Sequence, residues 1–248
     1  EGPNPVNADN GEASITLRST ELPGTVTITA SATDLQTGTI EVTTSEAPIL
    51  PTSISILADP ISIYNVVETS DITVTIKDQY GNPVGFGSAE NPQTISLLLD
   101  PTNNGTIASS LVFAGESSIS TVFQASSSGT VTVTASGNLG GTVEVVNDSV
   151  AINIYDYPTE IILTASPKSI KADGSSYSQI KATLVNSKGI KVPIADDLVT
   201  FNIDSEGSGF LEGTNPVKAV NGEANIILKS TELPGTMTIT ASFIVVNP

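Results

Sequence analysis

Residues 221–242 read NGEANIILKSTELPGTMTITAS, and a near-copy, NGEASITLRSTELPGTVTITAS, occupies residues 10–31. In the earlier copy Ala13, Ile15 and Leu17 alternate with Ser14, Thr16 and Arg18, and residues 25–30 alternate threonine with aliphatic side chains. A two-residue period in β-branched residues puts one row of side chains on each face of the chain, which is the pattern of a half-buried strand. Between the two runs lies Glu21-Leu22-Pro23-Gly24. Proline fixes φ and glycine tolerates positive φ, so the runs are joined by a turn. No segment carries a 3.6-residue apolar stripe, and no helix is expected.

The likeness extends outward from these stretches. Residues 1–31 laid on residues 212–242 agree at 24 of 31 positions without a gap. A looser version, AGESSISTVFQASSSGTVTVTAS, runs from 114 to 136. The chain is therefore a tandem array, and 248 residues can hold two or three domains of ordinary size. Aromatic residues make up 4% and tryptophan is absent, so each core must be filled by Ile, Val, Leu and Ala. That suits a thin sandwich better than a deep enzyme pocket. Cysteine and histidine are both absent, which removes disulfides, thiolate chemistry and the usual imidazole base or zinc ligand.

Acidic residues outnumber basic ones by 26 to 9, for a net charge of −17. Such a surface repels nucleic-acid phosphates and anionic headgroups, so neither is expected as a partner. No apolar run is long enough to span a bilayer and no signal peptide is seen, so no membrane insertion is expected in this stretch, and any secretion signal or anchor should lie outside it.

Taken in order, residues 1–48 supply only the back half of a module: the two strands above, a loop over 32–38 and a last strand over 39–44. Residues 49–156 form a complete module. Its strands are expected at 53–58, 61–64, 71–77, 94–99, 107–113, 117–124 and 130–135, with a long last one from Thr142 towards Tyr155. Residues 157–248 repeat that plan with a shortened last strand, Ala165-Ser166-Pro167 matching Ala58-Asp59-Pro60. The expected core of this module is Ile161, Leu163, Ile180, Ala182, Leu184, Phe201, Ile203, Ala224, Ile226, Leu228, Met237 and Ile239. Seven or so short strands in about 105 residues, broken by turn signals, predict an all-β fold of tandem Ig-like antiparallel β-sandwiches in an extended array.

Lys171-Ala172-Asp173-Gly174, the Lys188-Gly189 turn, Val199-Thr200-Phe201 and Asn221-Gly222-Glu223-Ala224 through Gly235-Thr236 to Thr240-Ala241 together resemble the bacterial Ig-like modules of the invasin/intimin type. The middle module departs from the pattern, with Asn65-Val66-Val67-Glu68 in place of Ala172-Asp173-Gly174. The resemblance implies an extracellular, cell-surface stalk or adhesin of a prokaryote in which such modules act as spacers, with binding left to a specialised tip domain.

No enzyme is expected, since without His or Cys the candidates reduce to carboxylate pairs. Asp196-Asp197 reads as a solvated loop, and Glu21 and Glu232 hold equivalent turn positions in separate modules. Calcium at a junction would need clustered oxygens, for which Asn147, Asp148, Asp156 and Glu160 are the nearest set; no DxD-like spacing supports it, and neither metal nor cofactor is expected. Asn104-Gly105-Thr106 and Asn147-Asp148-Ser149 fit the N-glycosylation pattern, making Asn104 and Asn147 possible glycosylation sites. Lys77 and Lys181, candidates for an isopeptide crosslink, fall on the outward phase of their strands. Tyr64, Tyr80, Phe86, Tyr155, Tyr157 and Tyr177 read as scattered, which ranks a structural spacer ahead of an adhesin contacting a receptor or glycan directly. The expected partners are neighbouring modules or identical subunits. The half-module at 1–48 should need a cover over Ala13, Ile15, Leu17, Val26 and Ile28. Either more of the same polypeptide supplies it, or a neighbouring subunit does, as in a filament joined by strand complementation.

Overall fold

Strands are the only regular elements among the described residues, which are 4–20, 22–140, 146–204 and 207–244 of a computed structural model. They fall into two units, Glu1–Leu50 and Pro51–Pro248. In the first unit β1 (Gly24–Ala30) and β2 (Gly38–Thr44) form an antiparallel pair, Val26 facing Val42 and Ile28 facing Ile40. Both strands are largely exposed, Val26 at 43% and Ile40 at 63%.

The strand expected over residues 13–17 is not formed; residues 13–20 carry no ladder. The physical reason lies in its counterpart, β17 (Glu223–Ser230), which is held between β13 (Tyr177–Val185) and β15 (Gly209–Glu212). A strand is stabilised by its cross-strand partners, and the described residues of the first unit contain neither neighbour. Ala13, Ile15, Leu17 and Val26 accordingly stand exposed. Glu21 and Thr142 lie outside the described residues.

The second unit contains two hydrophobic cores. In the middle sandwich one sheet runs β3 (Pro51–Asp59), β5 (Thr69–Asp78), β9 (Ser118–Ala125), β7 (Gly105–Thr106). The other runs β4 (Ser62–Tyr64), β11 (Val146–Tyr155), β10 (Gly129–Gly137), β6 (Gln93–Asp100), β8 (Ser110–Phe113). The period of two is visible in β5, where Ile72, Val74 and Ile76 are fully buried and Thr73 and Thr75 point outward. The Thr73 and Thr75 hydroxyls meet those of Ser120 and Ser118 at 2.8 and 2.9 Å across the ladder. Chain reversal after β5 depends on Asp78, whose Oδ1 accepts the amides of Tyr80 and Asn82 at 2.8 and 2.9 Å. Asn186 does the same after β13 for Lys188 and Ile190, both at 3.0 Å.

In the distal sandwich one sheet is β12 (Glu160–Ser166), β13, β17, β15, and the other is β16 (Val217–Lys218), β14 (Leu198–Asp204), β18 (Thr238–Phe243). All twelve residues of the expected core lie in it or pack against it. Ile180, Ala182, Leu184, Phe201, Ala224, Ile226 and Leu228 are buried; Ile161, Leu163, Ile203, Met237 and Ile239 are half-buried at its margin.

Leu228→Ala should lower the unfolding free energy of the distal sandwich by about 2–5 kcal/mol, the range for emptying a buried leucine site. Val26→Ala on the exposed hairpin should stay within about 0.5 kcal/mol of the parent. Urea titration of the two variants checks both.

Candidate functional site at the junction of the two sandwiches

The last strand of the middle sandwich, β11, runs into Asp156-Tyr157-Pro158-Thr159 and then β12, so four residues separate the two sandwiches. Short links leave little freedom, and here the link is also clamped. Tyr64, at the end of β4, stacks on Tyr157 with ring centroids 4.3 Å apart and planes 8° from parallel. Tyr64 and Tyr155, both from the middle sandwich, pack against the distal core. Polar contacts surround the rings. The Asn65 amide nitrogen donates to Asp156 Oδ1 at 3.4 Å and the Ser128 hydroxyl to Asp156 Oδ2 at 2.9 Å. From the distal side Lys188 Nζ reaches Asp156 Oδ2 at 3.5 Å, an exposed pair worth about 0–1 kcal/mol.

A cleft of about 330 Å³ opens beside the stack, lined by Tyr64, Tyr157, Asp196, Asp197, Leu198 and Lys218. Burial pushes the Tyr64 phenol well above its ordinary value of 10.0, and the negative charges of Asp197, Asp196 and Glu68 push the same way. Tyr157 is raised for the same two reasons, burial first and then Glu68. Asp196 pairs with Lys218 at 2.7 Å. The arrangement offers stacked rings and an acidic rim. It offers no nucleophile held against a base.

The loops that carried the resemblance turn out to be structural devices. Asp173 Oδ1 accepts the amides of Ser175 and Ser176 at 2.9 and 2.7 Å, which holds its carboxyl far below the usual carboxylate range. Gly174, at φ +72°, hands its amide to the Thr231 carbonyl. In the middle sandwich Glu68 takes a comparable part, its Oε2 accepting the Tyr64 amide at 2.7 Å.

The calcium set is not brought together. Asp156 sits at the junction, but Asp148 lies near the opposite end of β11, where its Oδ2 accepts the Ile56 amide at 3.0 Å. Among the described residues no group of three or more acidic side chains is placed to hold a metal ion. Of the two glycosylation candidates, Asn104 is half-buried and its amide donates to the Ser128 carbonyl at 3.4 Å, whereas Asn147 is exposed on β11. Lys181 points outward to Glu223 at 3.6 Å. The aromatic residues read as scattered are only partly so, because Tyr64, Tyr155 and Tyr157 converge here. The available signal was positional: Tyr64 ends the strand that β11 pairs with, register Tyr155 to Tyr64, so a residue there abuts the link.

Comparison with known proteins adds the following. Residues 161–244 match a family model described as glycoside hydrolase family 2 C-terminal domain 5. The inverse autotransporter adhesin YeeJ of Escherichia coli (strain K12) is 28% identical over 237 residues, which is 95% of this chain and 9% of that protein. A beta-galactosidase of Thermoanaerobacter pseudethanolicus (strain ATCC 33223 / 39E) is 33% identical over 87 residues, 35% of this chain and 11% of the enzyme. The chain thus spans about a tenth of the length of either relative. Among solved structures, the crystal structure of invasin, a bacterial integrin-binding protein, covers 89% of this chain and 42% of its own at 20% identity, with a TM-score of 0.41.

Two outcomes follow from the junction. A phenol whose folded pKa is raised keeps its stabilising contribution below its unfolded value near 10.0 and loses it as pH climbs beyond that. Stability should therefore fall above pH about 10, and Tyr64→Phe should flatten the fall; melting curves between pH 8 and 12 read this directly. EDTA should leave the melting temperature unchanged, and a drop that calcium reverses would call for an ion at the junction.

Proposed function

From a chain built of bacterial Ig-like modules of the invasin/intimin type, we propose that this stretch is a spacer within the stalk of a prokaryotic cell-surface protein, extracellular and without catalytic activity of its own. The observation that carries the reading is the clamped junction. A four-residue link, a tyrosine stack and a shared contact with the distal core set one sandwich against the next. An aromatic pair of this kind adds about 0.5–1.5 kcal/mol beyond the area it buries, enough to bias neighbouring modules towards one arrangement. A spacer needs that and little else. The acidic, cation-poor composition serves solubility and mutual repulsion on a crowded surface. The glycoside hydrolase likeness falls on the distal sandwich, where the motif residues serve turns rather than chemistry. Asn147, exposed on β11, is the more accessible of the two candidate glycan acceptors.

The test is replacement in the full-length surface protein. Exchanging this stretch for an unrelated Ig-like array of equal length should preserve adhesion of the cells, while deleting it should weaken adhesion. Loss of adhesion on exchange would transfer the binding role to these modules.

A further inference from the structure

We infer that the outer face of the sheet β12, β13, β17, β15 is a platform for a flat, equatorially linked chain of uncharged hexoses, of the cellulose or mannan type. Tyr177 of β13 and Phe210 of β15 both pair in register with Lys229 of the intervening β17. The three side chains therefore stand in one row across the sheet, on the face turned away from the core. Both rings are in water, Tyr177 at 60% exposure and Phe210 at 48%, and neither packs against the distal core. A single exposed aromatic residue is ordinary. Two in register on either side of one lysine stem form a patch of the kind that marks a binding surface.

The geometry of the row suits such a chain. Two strand spacings separate the aromatic positions, roughly 10 Å. In a flat, equatorially linked hexose chain successive rings turn over, so alternate rings present the same apolar face, and they recur at a closely similar spacing. Each aromatic ring then takes one sugar, with the lysine stem under the sugar between them. The next row along the sheet supplies polar groups, since Glu212, Gln179 and Ser166 lie level with Ile227. A carboxylate, an amide and a hydroxyl offer both donors and acceptors to sugar hydroxyls.

Charge and extent select the occupant. Lys229 Nζ holds Glu212 Oε1 at 2.7 Å, so the patch is neutral within a chain of net charge −17. An anionic polysaccharide meets a cation that is already paired, and the acidic surface around it is repulsive. A protein partner needs more apolar surface than two rings bordered by polar side chains, because a stable interface buries on the order of 1,000 Å² or more around an apolar centre. The platform is also particular to the distal sandwich. In the middle one the same row holds Thr69, Gln124 and Thr106. Thr69 and Thr106 are exposed there although a further sandwich follows, so this place on the sheet stays open within an array. The inference goes beyond the spacer reading, adding a lateral contact along the stalk, and does not rest on it.

Calorimetry of the chain with cello- and manno-oligosaccharides tests this. The trisaccharide of at least one series, which spans both rings, should bind about tenfold more tightly than the disaccharide, which reaches only one. Tyr177→Ala and Phe210→Ala should each weaken trisaccharide binding about tenfold. Tyr80→Ala, which removes an exposed ring elsewhere, should leave it unchanged. Melting temperatures of all three variants should match the parent, since the rings lie outside the core. In affinity electrophoresis uncharged hydroxyethyl cellulose or galactomannan should retard the chain, and anionic carboxymethyl cellulose should not. No binding in either series, equal affinity for di- and trisaccharide, or an equal loss with Tyr80→Ala would overturn the assignment. Sugar binding is read on the isolated chain and the spacer role in cell adhesion, so either can fail alone.

Discussion

β11 is the strand on which the middle sandwich depends. It pairs with β10 over nine residues and with β4 over three, and it places Ile152 and Ile154 in the core. Each such side chain contributes about 1.5–3 kcal/mol when fully withdrawn from water, a large share of the roughly 5–15 kcal/mol that stabilises a domain. Its Asp148 also ties the opposite sheet by accepting the Ile56 amide. Where a strand of this kind is seated, both neighbouring margins are sealed. Where none is found among the described residues, in the distal sandwich, β12 and β18 keep their apolar residues half in water. The hairpin of the first unit is the extreme case, a two-stranded sheet whose side chains are largely exposed.

The end of β11 links this constraint to function. Because β11 continues directly into the junction, the same strand that closes one core delivers Tyr155 and Tyr157 to the next. Stability of the middle sandwich and orientation of its neighbour are thus properties of one segment. Burial, and after it the negative charges of Asp197, Asp196 and Glu68, hold the Tyr64 phenol neutral, which keeps its side of the stack uncharged.

Much of the fold was legible because strand phase is written in the period of two. The core of the distal sandwich could be read residue by residue, since Ile180, Ala182 and Leu184, or Ala224, Ile226 and Leu228, share a face whatever the loops do. Val192, Ala195 and Ala219 escaped that reading; they enter the core from turns and short links, where no period exists. The strand expected at Ala13, Ile15 and Leu17 failed for a different reason. Its pattern equals that of β17, but a pattern states which face is apolar and not whether partners are present. The junction was the least legible part. Tyr64 and Tyr157 stand 93 residues apart, and only the parallel register of β4 with β11 brings them into contact. Among the residues weighed as an oxygen set for calcium, register carries Asp148 away from Asp156 along the same strand.

Amide hydrogen exchange on the dilute chain tests the role of the closing strand most directly. β10, flanked by β6 and β11, should exchange only through opening of the whole sandwich, with Val131 and Val133 among its slowest amides. In β18 the alternate amides that face away from β14 should exchange far faster. Equal protection of β10 and β18 in the dilute chain would contradict the account, because it would mean that the distal sandwich is closed without a strand in the place that β11 occupies.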